Sequence, residues 1–365
     1  MNNVKRLECL QSKYSNTGYT CKHLLGAGKY LFLLALMLPV LVSCAAKPSL
    51  KKTIPDISGL ESKYVQVKME DPNQELEHLK SFPLKDECDF SYLQDGFNLH
   101  YVTKGEGEPL ILLHGYPANT FEWRRNIEAL SEHFKVYAID QRGFGLSDKL
   151  EDADFKLPSY IMDLKGFMDA MDLEKAHLVG NSFGGGIAWG TAYAFPERVE
   201  TVVAIDPIVY PFEIPLQFSL LKFPGASTFA GTFPRFNANW VLEDLCYYDV
   251  SKIDEQTIDG YSVQLHYPEA RRTMTEFIKT NKPEDYQGTG KLLQEIQTST
   301  LIIWGEEDQL VPTEHAHRMH EDMPNSSLQI IPECGHIPPE EEPEIVNKAI
   351  IDFIKNRQLA KENSN

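Results

Sequence analysis

Six short apolar runs alternate with helix-like stretches along this chain, and this alternation constrains its fold more than any other feature of the sequence. Apolar runs of this length fit strands of a parallel sheet buried on both faces. Strands that alternate with helices predict an α/β sheet with right-handed crossovers. The runs cover residues 110–113, 135–139, 176–179, 201–205, 300–304 and 328–331, and the helix-like stretches cover 121–133, 158–171, 183–195, 313–322 and 341–356.

One gap in this alternation is far too long for a simple crossover. About 90 residues separate the run that ends near Ile205 from the run that starts near Thr300, whereas most connections in compact domains take only a few residues. We therefore predict a helical cap insertion over residues 207–290, rich in aromatic residues such as Trp240. The insertion divides the core into a first part, 83–206, and a second part, 291–358, followed by a short tail over 359–365.

The approach to the core has a weaker pattern. Residues 88–94 and 97–104 flank Asp95-Gly96, which predicts a β-hairpin. Residues 44–82 are rich in Lys, Glu, Pro and Ser and show little periodicity, so we predict a tether there.

The first 43 residues differ in composition from the rest. Basic residues precede an apolar run over 30–42, which is shorter than the roughly 20 residues of a membrane span and suits a secretory signal. Leu41-Val42-Ser43-Cys44 resembles the lipobox of bacterial lipoproteins, which implies that Cys44 is lipidated. Ala45 then favours the periplasmic face of the outer membrane, so we expect a lipid-anchored protein of the cell envelope. A signal-anchor helix in which Cys44 is a bystander is the alternative.

Charge and cysteine content exclude several classes of function. The 365 residues include 35 basic and 53 acidic ones, a net charge of −18, and nucleic-acid binding needs clustered cations instead. Cysteine spacing of the C-x-x-C type is absent, and we predict no metal and no cofactor. Cys88, Cys246 and Cys334 follow the predicted anchor, and the sequence leaves open both their pairing and the oligomeric state.

A nucleophile motif sits at one of the predicted strand ends. Gly180-Asn181-Ser182-Phe183-Gly184 follows the run over 176–179 and opens a helix-like stretch, which is the G-x-S-x-G nucleophile elbow. A serine hydroxyl becomes a strong nucleophile only when a base takes its proton, and that base needs a carboxylate to orient it.

Leu113-His114-Gly115-Tyr116-Pro117 ends an earlier run, and with the elbow it makes the chain resemble the α/β-hydrolase superfamily. The motif pattern is closest to the epoxide hydrolase and haloalkane dehalogenase branch. The resemblance implies a mostly parallel eight-stranded sheet with helices on both faces and a cap after the sixth strand. It implies oxyanion-hole donors at the backbone N–H groups of Tyr116 and Phe183. We place His114 beside the substrate pocket, as the residue that holds this loop.

The same superfamily places its catalytic groups in the order serine, acid, histidine. The segment from Gly305 to Pro312 follows one strand-like run and implies Asp308 as the acid. Cys334-Gly335-His336 follows the next run and implies His336 as the base. Alternatives for the acid are Glu306, Glu307 and Asp206.

The elbow residue predicts the chemistry. Epoxide hydrolases and haloalkane dehalogenases carry aspartate there, whereas Ser182 suits acyl transfer. We therefore expect hydrolysis of a small or medium apolar ester, lactone or thioester in a pocket lined by Trp123 and Trp240. Hydrolysis of a C–C bond in a ring-cleavage product is an alternative, although the H-G-G-G-P-G loop of those enzymes is missing. A non-catalytic ligand-binding protein on the same scaffold is the other alternative.

Overall fold

The computed structural model describes residues 60, 62–79, 82, 88–151 and 153–362. These residues belong to one compact unit, Pro48–Asn365, of the two into which the chain divides. Their strands are β1 Lys63–Val67, β2 Phe97–Lys104, β3 Pro109–Leu113, β4 Lys135–Ile139, β5 Ala176–Asn181, β6 Val199–Ile205, β7 Thr300–Gly305 and β8 Ser326–Ile331.

The eight strands form one sheet in the order β1-β2-β4-β3-β5-β6-β7-β8. β2 pairs antiparallel with both β1 and β4, and all pairs from β4 to β8 are parallel. The predicted eight-stranded, mostly parallel sheet is thus confirmed. Because β3 and β5 to β8 run in one direction, the loops that follow them meet at one edge, and this edge positions the site.

Helices cover both faces of the sheet. One apolar core includes Phe167 and Trp189, and a second core on other residues of the same strands includes Leu130 and Ile350. The α-helices are α1 Tyr92–Asp95, α2 Ile127–Ser131, α3 Leu157–Ala170, α4 Phe183–Ala194, α5 Leu216–Ser219, α6 Ala226–Thr232, α7 Pro234–Val241, α8 Glu255–Ser262, α9 Pro268–Thr280, α10 Thr289–Leu293, α11 Glu314–Asp322, α12 Pro338–Glu341 and α13 Pro343–Glu362.

The segment between β6 and β7 is helical, as the cap prediction requires. It contains α5 to α10, a π-helix over Leu242–Cys246 and 3-10 helices over Leu220–Lys222, Val250–Lys252, Val263–His266 and Pro283–Tyr286. Further 3-10 helices cover Pro72–Leu79, Thr120–Trp123 and Pro196–Arg198.

Two predictions near the start of the core are wrong. The hairpin does not form, because β2 pairs with β1 instead of with residues 88–94, and α1 precedes Gly96. Gly96 has a φ of +80°, which lets the chain turn from α1 into β2. The predicted tether contains β1 and a 3-10 helix, and buries Val67 and Leu79 completely. The core therefore starts before residue 83, because the K-Y-V-Q-V alternation of β1 completes the sheet edge.

The predicted signal segment, its Cys44 and the start of the predicted tether lie outside the described residues. Among the helices that the structure describes, none is both long and apolar enough to cross a bilayer.

Candidate active site

Ser182 stands at the tight bend between β5 and α4. Its φ of +53° and ψ of −116° lie in a region that L-residues rarely adopt, so neighbouring contacts must hold the bend. A Cβ atom added at Gly180 would lie 2.2 Å from the carbonyl oxygen of Gly184, and one at Gly184 would lie 2.1 Å from that of Leu113. The two motif glycines are therefore steric requirements of the bend.

The loop after β3 passes close to this bend. A Cβ atom added at Gly115 would lie 3.1 Å from the Cβ of Ser182, so a larger residue would require Ser182 or the loop to shift by a few tenths of an ångström. The next residue, Tyr116, lines the cavity at Ser182 and donates its hydroxyl to the carbonyl oxygen of Met274, at 2.9 Å. On the other side, Phe183 opens α4, and the first N–H groups of a helix have no carbonyl partner within it.

Asp308 and His336 meet across the loops after β7 and β8. His336 Nδ1 lies 2.7 Å from Asp308 Oδ2, and both side chains are buried. The other carboxylate oxygen, Oδ1, accepts hydrogen bonds from the backbone N–H groups of Leu310 and Val311, at 2.7 and 2.9 Å. These two bonds fix the carboxylate, and the carboxylate in turn orients the imidazole ring.

The other ring nitrogen, His336 Nε2, is buried and has no hydrogen-bond partner among the described residues. His336 and Ser182 line the same cavity. When Nδ1 carries the proton that bonds to Asp308, Nε2 carries none and can accept one from a nearby hydroxyl group.

Asp206, which follows β6, is a third group at this position. Its Oδ1 accepts a hydrogen bond from the N–H of Gly305 at 2.9 Å, and the side chain is fully buried. Burial, together with the charge of Asp308, raises the pKa of Asp206 well above its usual range. These two effects favour the neutral form of Asp206, whereas the carboxylate of Asp308 contacts the imidazole ring. Of the proposed acids, Glu306 and Glu307 are exposed and Asp308 alone pairs with His336.

Asp206, Asp308 and His336 also form the one cluster of metal-ligand type found among the described residues, with one candidate atom of each within 4.8 Å of the others. Asp308 and His336 are joined by the hydrogen bond that orients the imidazole ring, so the proposed catalytic pair accounts for two members of this cluster.

The loop that carries His336 is fixed from two sides. The backbone N–H of His336 donates to the carbonyl oxygen of Cys246 in the cap, at 2.8 Å. The carbonyl oxygen of His336 accepts a hydrogen bond from the side chain of Asn181 at 3.1 Å. The buried Glu341 carboxylate accepts from the N–H groups of Gly335 and Asp249, both at 2.7 Å. Motif reasoning missed Asn181 and Glu341, because their roles depend on contacts between distant segments.

Two cavities open at Ser182. The larger one, of about 110 Å³, lies under the cap, and apolar side chains with few polar groups line it, as in many small-molecule sites. The smaller one, of about 50 Å³, is lined largely by residues of the cap and of the loop after β7. Ser182, Tyr116, Phe218 and Leu310 belong to the walls of both.

Of the three predicted pocket residues, only Trp240 lines a cavity. Trp123 is completely buried in the core that contains Leu130, because the 3-10 helix turns it toward the sheet and turns its neighbour Glu122 toward the cavity. His114 is also buried: its Nδ1 pairs with the carbonyl oxygen of Gly115, and its Nε2 accepts from the N–H of Gln141. His114 thus holds the loop, as expected, but does not reach a substrate.

Comparisons with known proteins agree with this fold. Residues 108–343 match a family model described as the alpha/beta hydrolase fold. An uncharacterized hydrolase of Bacillus subtilis, YugF, is 31% identical over 72% of this chain and 96% of its own length. A 2-hydroxy-6-oxononadienedioate/2-hydroxy-6-oxononatrienedioate hydrolase of Paraburkholderia phymatum is 31% identical over 70% of this chain and 90% of its own length.

Among solved structures, a meta-cleavage product hydrolase of Pseudomonas fluorescens superposes with a TM-score of 0.63. It is 27% identical and covers 72% of this chain and 95% of its own. The resemblance to the epoxide hydrolase and haloalkane dehalogenase branch remains one of motif, since these relatives belong to another group.

Proposed function

The chain belongs to the α/β-hydrolase fold family and is a hydrolase; from this premise we propose that it is a serine hydrolase, with Ser182 as nucleophile, His336 as base and Asp308 as the acid that orients the base. The observation that carries this proposal is the buried hydrogen bond of 2.7 Å between Asp308 and His336, beside an unpartnered Nε2 in the cavity of Ser182.

The proposed reaction is acyl transfer in two steps. His336 Nε2 takes the proton of the Ser182 hydroxyl as its oxygen attacks a carbonyl carbon, and the N–H groups of Tyr116 and Phe183 stabilise the oxyanion. The intermediate collapses when His336 gives that proton to the leaving group. A water molecule, activated by the same nitrogen, then hydrolyses the acyl-enzyme.

For the bond that is cleaved, we propose the C–C bond next to a ketone in a ring-cleavage product. In this reaction the Ser182 oxygen forms a bond to the ketone carbon, the C–C bond breaks, and the leaving carbon takes the proton. The relatives whose names state a reaction support this proposal, because they hydrolyse 2-hydroxy-6-oxo dienoates. This replaces ester hydrolysis, our prediction from sequence, as the leading candidate.

The paired cavities fit a long substrate that is cleaved near its middle. Because Ser182 belongs to both walls, one arm of the substrate can occupy each cavity. A dienoate carries a carboxylate on one arm, and Lys282, which lines the smaller cavity, is the only lysine or arginine among the residues around the two cavities. We place the carboxylate arm in the smaller cavity and the acyl arm in the larger one.

Ester hydrolysis is the second candidate, and the larger cavity favours it. Glu122 is the only Asp or Glu in its wall, and the wall holds no lysine or arginine, so this cavity suits an uncharged substrate. A neutral ester needs no cation, and it reacts through the same acyl-enzyme.

A direct comparison decides between the two bonds. Purified protein is assayed with 2-hydroxy-6-oxo-6-phenylhexa-2,4-dienoate and with p-nitrophenyl butyrate, and kcat/KM is measured for each. We expect the higher value for the dienoate and loss of both activities in Ser182→Ala. Faster turnover of the ester would assign the protein to ester hydrolysis, and unchanged rates in Ser182→Ala would exclude the serine mechanism for either.

Lys282→Met tests the placement of the carboxylate. Loss of the cation should raise KM for the dienoate roughly tenfold, the size of a charge-assisted hydrogen bond, and leave KM for the neutral ester unchanged. Lys279→Met is the matched control, since Lys279 pairs with Glu276 on the surface of α9 and lines neither cavity. Equal effects of both variants would contradict the placement.

A further inference from the structure

Glu122 is a carboxyl group in the catalytic cavity that the proposed mechanism does not use. It lies in the 3-10 helix Thr120–Trp123, it is 1% exposed, and it lines the larger cavity together with Ser182. No ion pair involves it in the part of the chain that the structure describes. A buried carboxyl group without a cation is costly, so its presence requires a reason.

The hydrogen bond of Glu122 connects it to the oxyanion loop. The backbone N–H of Gly115 donates to both of its carboxyl oxygens, at 3.3 and 3.2 Å. Gly115 immediately precedes Tyr116, whose N–H is a proposed oxyanion donor, and Gly115 is packed against Ser182. Glu122 therefore fixes the peptide group that leads into this donor.

The groups that face Glu122 do not neutralise a negative charge. Tyr261 and Cys246, which line the same cavity, are neutral acids, and the Glu122 carboxyl group contributes to the raised pKa of each. The nearby cation Arg124 pairs with Glu340 and donates to Thr257. Burial raises the pKa of Glu122 to about 8, and the hydrogen bond from Gly115 offsets this only in part.

We propose that Glu122 is a positioning residue. Its uncharged carboxyl group holds the oxyanion loop, and turnover stops when this group ionises. The proposal depends on the serine mechanism above. An anionic Glu122 would place a second negative charge in the same low-dielectric wall as the developing oxyanion, and like charges repel strongly there. The protein should consequently have a falling alkaline limb in its pH profile that comes from this carboxyl group.

The measurement is the second-order rate of labelling by a fluorophosphonate between pH 6 and pH 10, which needs no knowledge of the natural substrate. For the wild type we expect a rate that falls about tenfold between pH 8 and pH 9.5, as the protonated fraction of a group with this pKa falls. Glu122→Gln keeps an acceptor for the Gly115 N–H and cannot ionise. Its rate, relative to its own value at pH 7, should show no falling limb.

Glu122→Leu separates positioning from charge. This substitution removes the acceptor for the Gly115 N–H. We expect labelling at pH 7 to slow by about 10- to 100-fold, a smaller effect than the complete loss of one oxyanion donor. Glu122→Gln should recover most of this loss. Thermal unfolding of each variant checks that both are folded at the assay temperature, and kcat and KM for p-nitrophenyl butyrate show whether the loss lies in kcat.

Tyr261→Phe and Cys246→Ala are the controls for the other titratable groups of this wall. Whatever their rates, each should keep the midpoint of the alkaline limb. A limb that persists in Glu122→Gln, or that disappears in either control, would overturn the proposal. A wild type that no fluorophosphonate labels at any pH would instead overturn the serine mechanism, so the two failures are distinguishable.

Discussion

At the scale of single residues, Asp308 and Asp206 show how two neighbouring buried carboxyl groups receive different hydrogen bonds. Asp308 accepts two backbone N–H bonds, and its other carboxylate oxygen lies 2.7 Å from the imidazole Nδ1. Asp206 accepts one backbone N–H bond, and its burial beside a charged neighbour favours the neutral form. The roles of the two residues should differ accordingly.

Replacement of each aspartate by asparagine tests this difference. Asp308→Asn removes the charge that orients and stabilises the imidazolium, and we expect kcat to fall by about 10⁴-fold. Asp206→Asn replaces a neutral acid by a neutral amide that can still donate to Asp308, so kcat should fall by no more than about tenfold. Steady-state assays of both variants decide the assignment, and a larger loss in Asp206→Asn would move the catalytic acid to Asp206.

The residue scale also shows which parts of the site were predictable. The proposed nucleophile, acid and base follow from motifs, because each occupies a short loop whose local sequence sets its geometry. Trp123 was assigned to the pocket and Glu122 was given no role, since the choice between cavity and core depends on how the 3-10 helix faces the sheet. An acidic residue between two buried aromatic residues was the available signal for Glu122.

At the scale of elements, the junction of β5 and α4 is sterically constrained by its close backbone contacts. This junction was also predictable, because an apolar run, a G-x-S-x-G bend and a helix are adjacent in the sequence. β1 was missed for the opposite reason: its partner β2 lies about 30 residues away, and only this long-range pairing overrides the local hairpin signal.

Substitution of glycines in α4 tests the steric requirement of this junction. The added Cβ of Gly184→Ala would overlap the carbonyl oxygen of Leu113 at 2.1 Å, so we expect the free energy of unfolding to fall by about 3 kcal/mol or more. In the matched control Gly186→Ala, the nearest atom is the carbonyl oxygen of Ile208 at 3.3 Å, and the change should stay within about 1 kcal/mol. Denaturant unfolding measures both, and equal stabilities would contradict the close approach.

At the scale of the whole molecule, the cap forms hydrogen bonds with the histidine loop in addition to covering the site. Cys246 of the cap accepts the backbone N–H of His336, and the cap backbone at Asp249 donates to Glu341 of the core. The helical insertion was predictable from its length. Its contacts with the histidine loop were not, because they join segments that are far apart in the sequence.

The lipid anchor stays a prediction at this scale. Attachment through Cys44 predicts that radiolabelled palmitate is incorporated into the wild type in the bacterial host and not into Cys44→Ala. The wild type should fractionate with the outer membrane even at high salt, since the chain after residue 43 has 30 basic and 52 acidic residues, a net charge of −22, and little electrostatic attraction to anionic lipids. Soluble fractionation of both proteins would contradict the anchor.

The most direct test of the central claim is the site of covalent labelling by a fluorophosphonate, located by peptide mass spectrometry. A serine nucleophile activated by His336 predicts one adduct per chain, on Ser182, which is absent in Ser182→Ala and formed far more slowly in His336→Ala. An adduct on another residue, or labelling of Ser182 at an unchanged rate in His336→Ala, would contradict it.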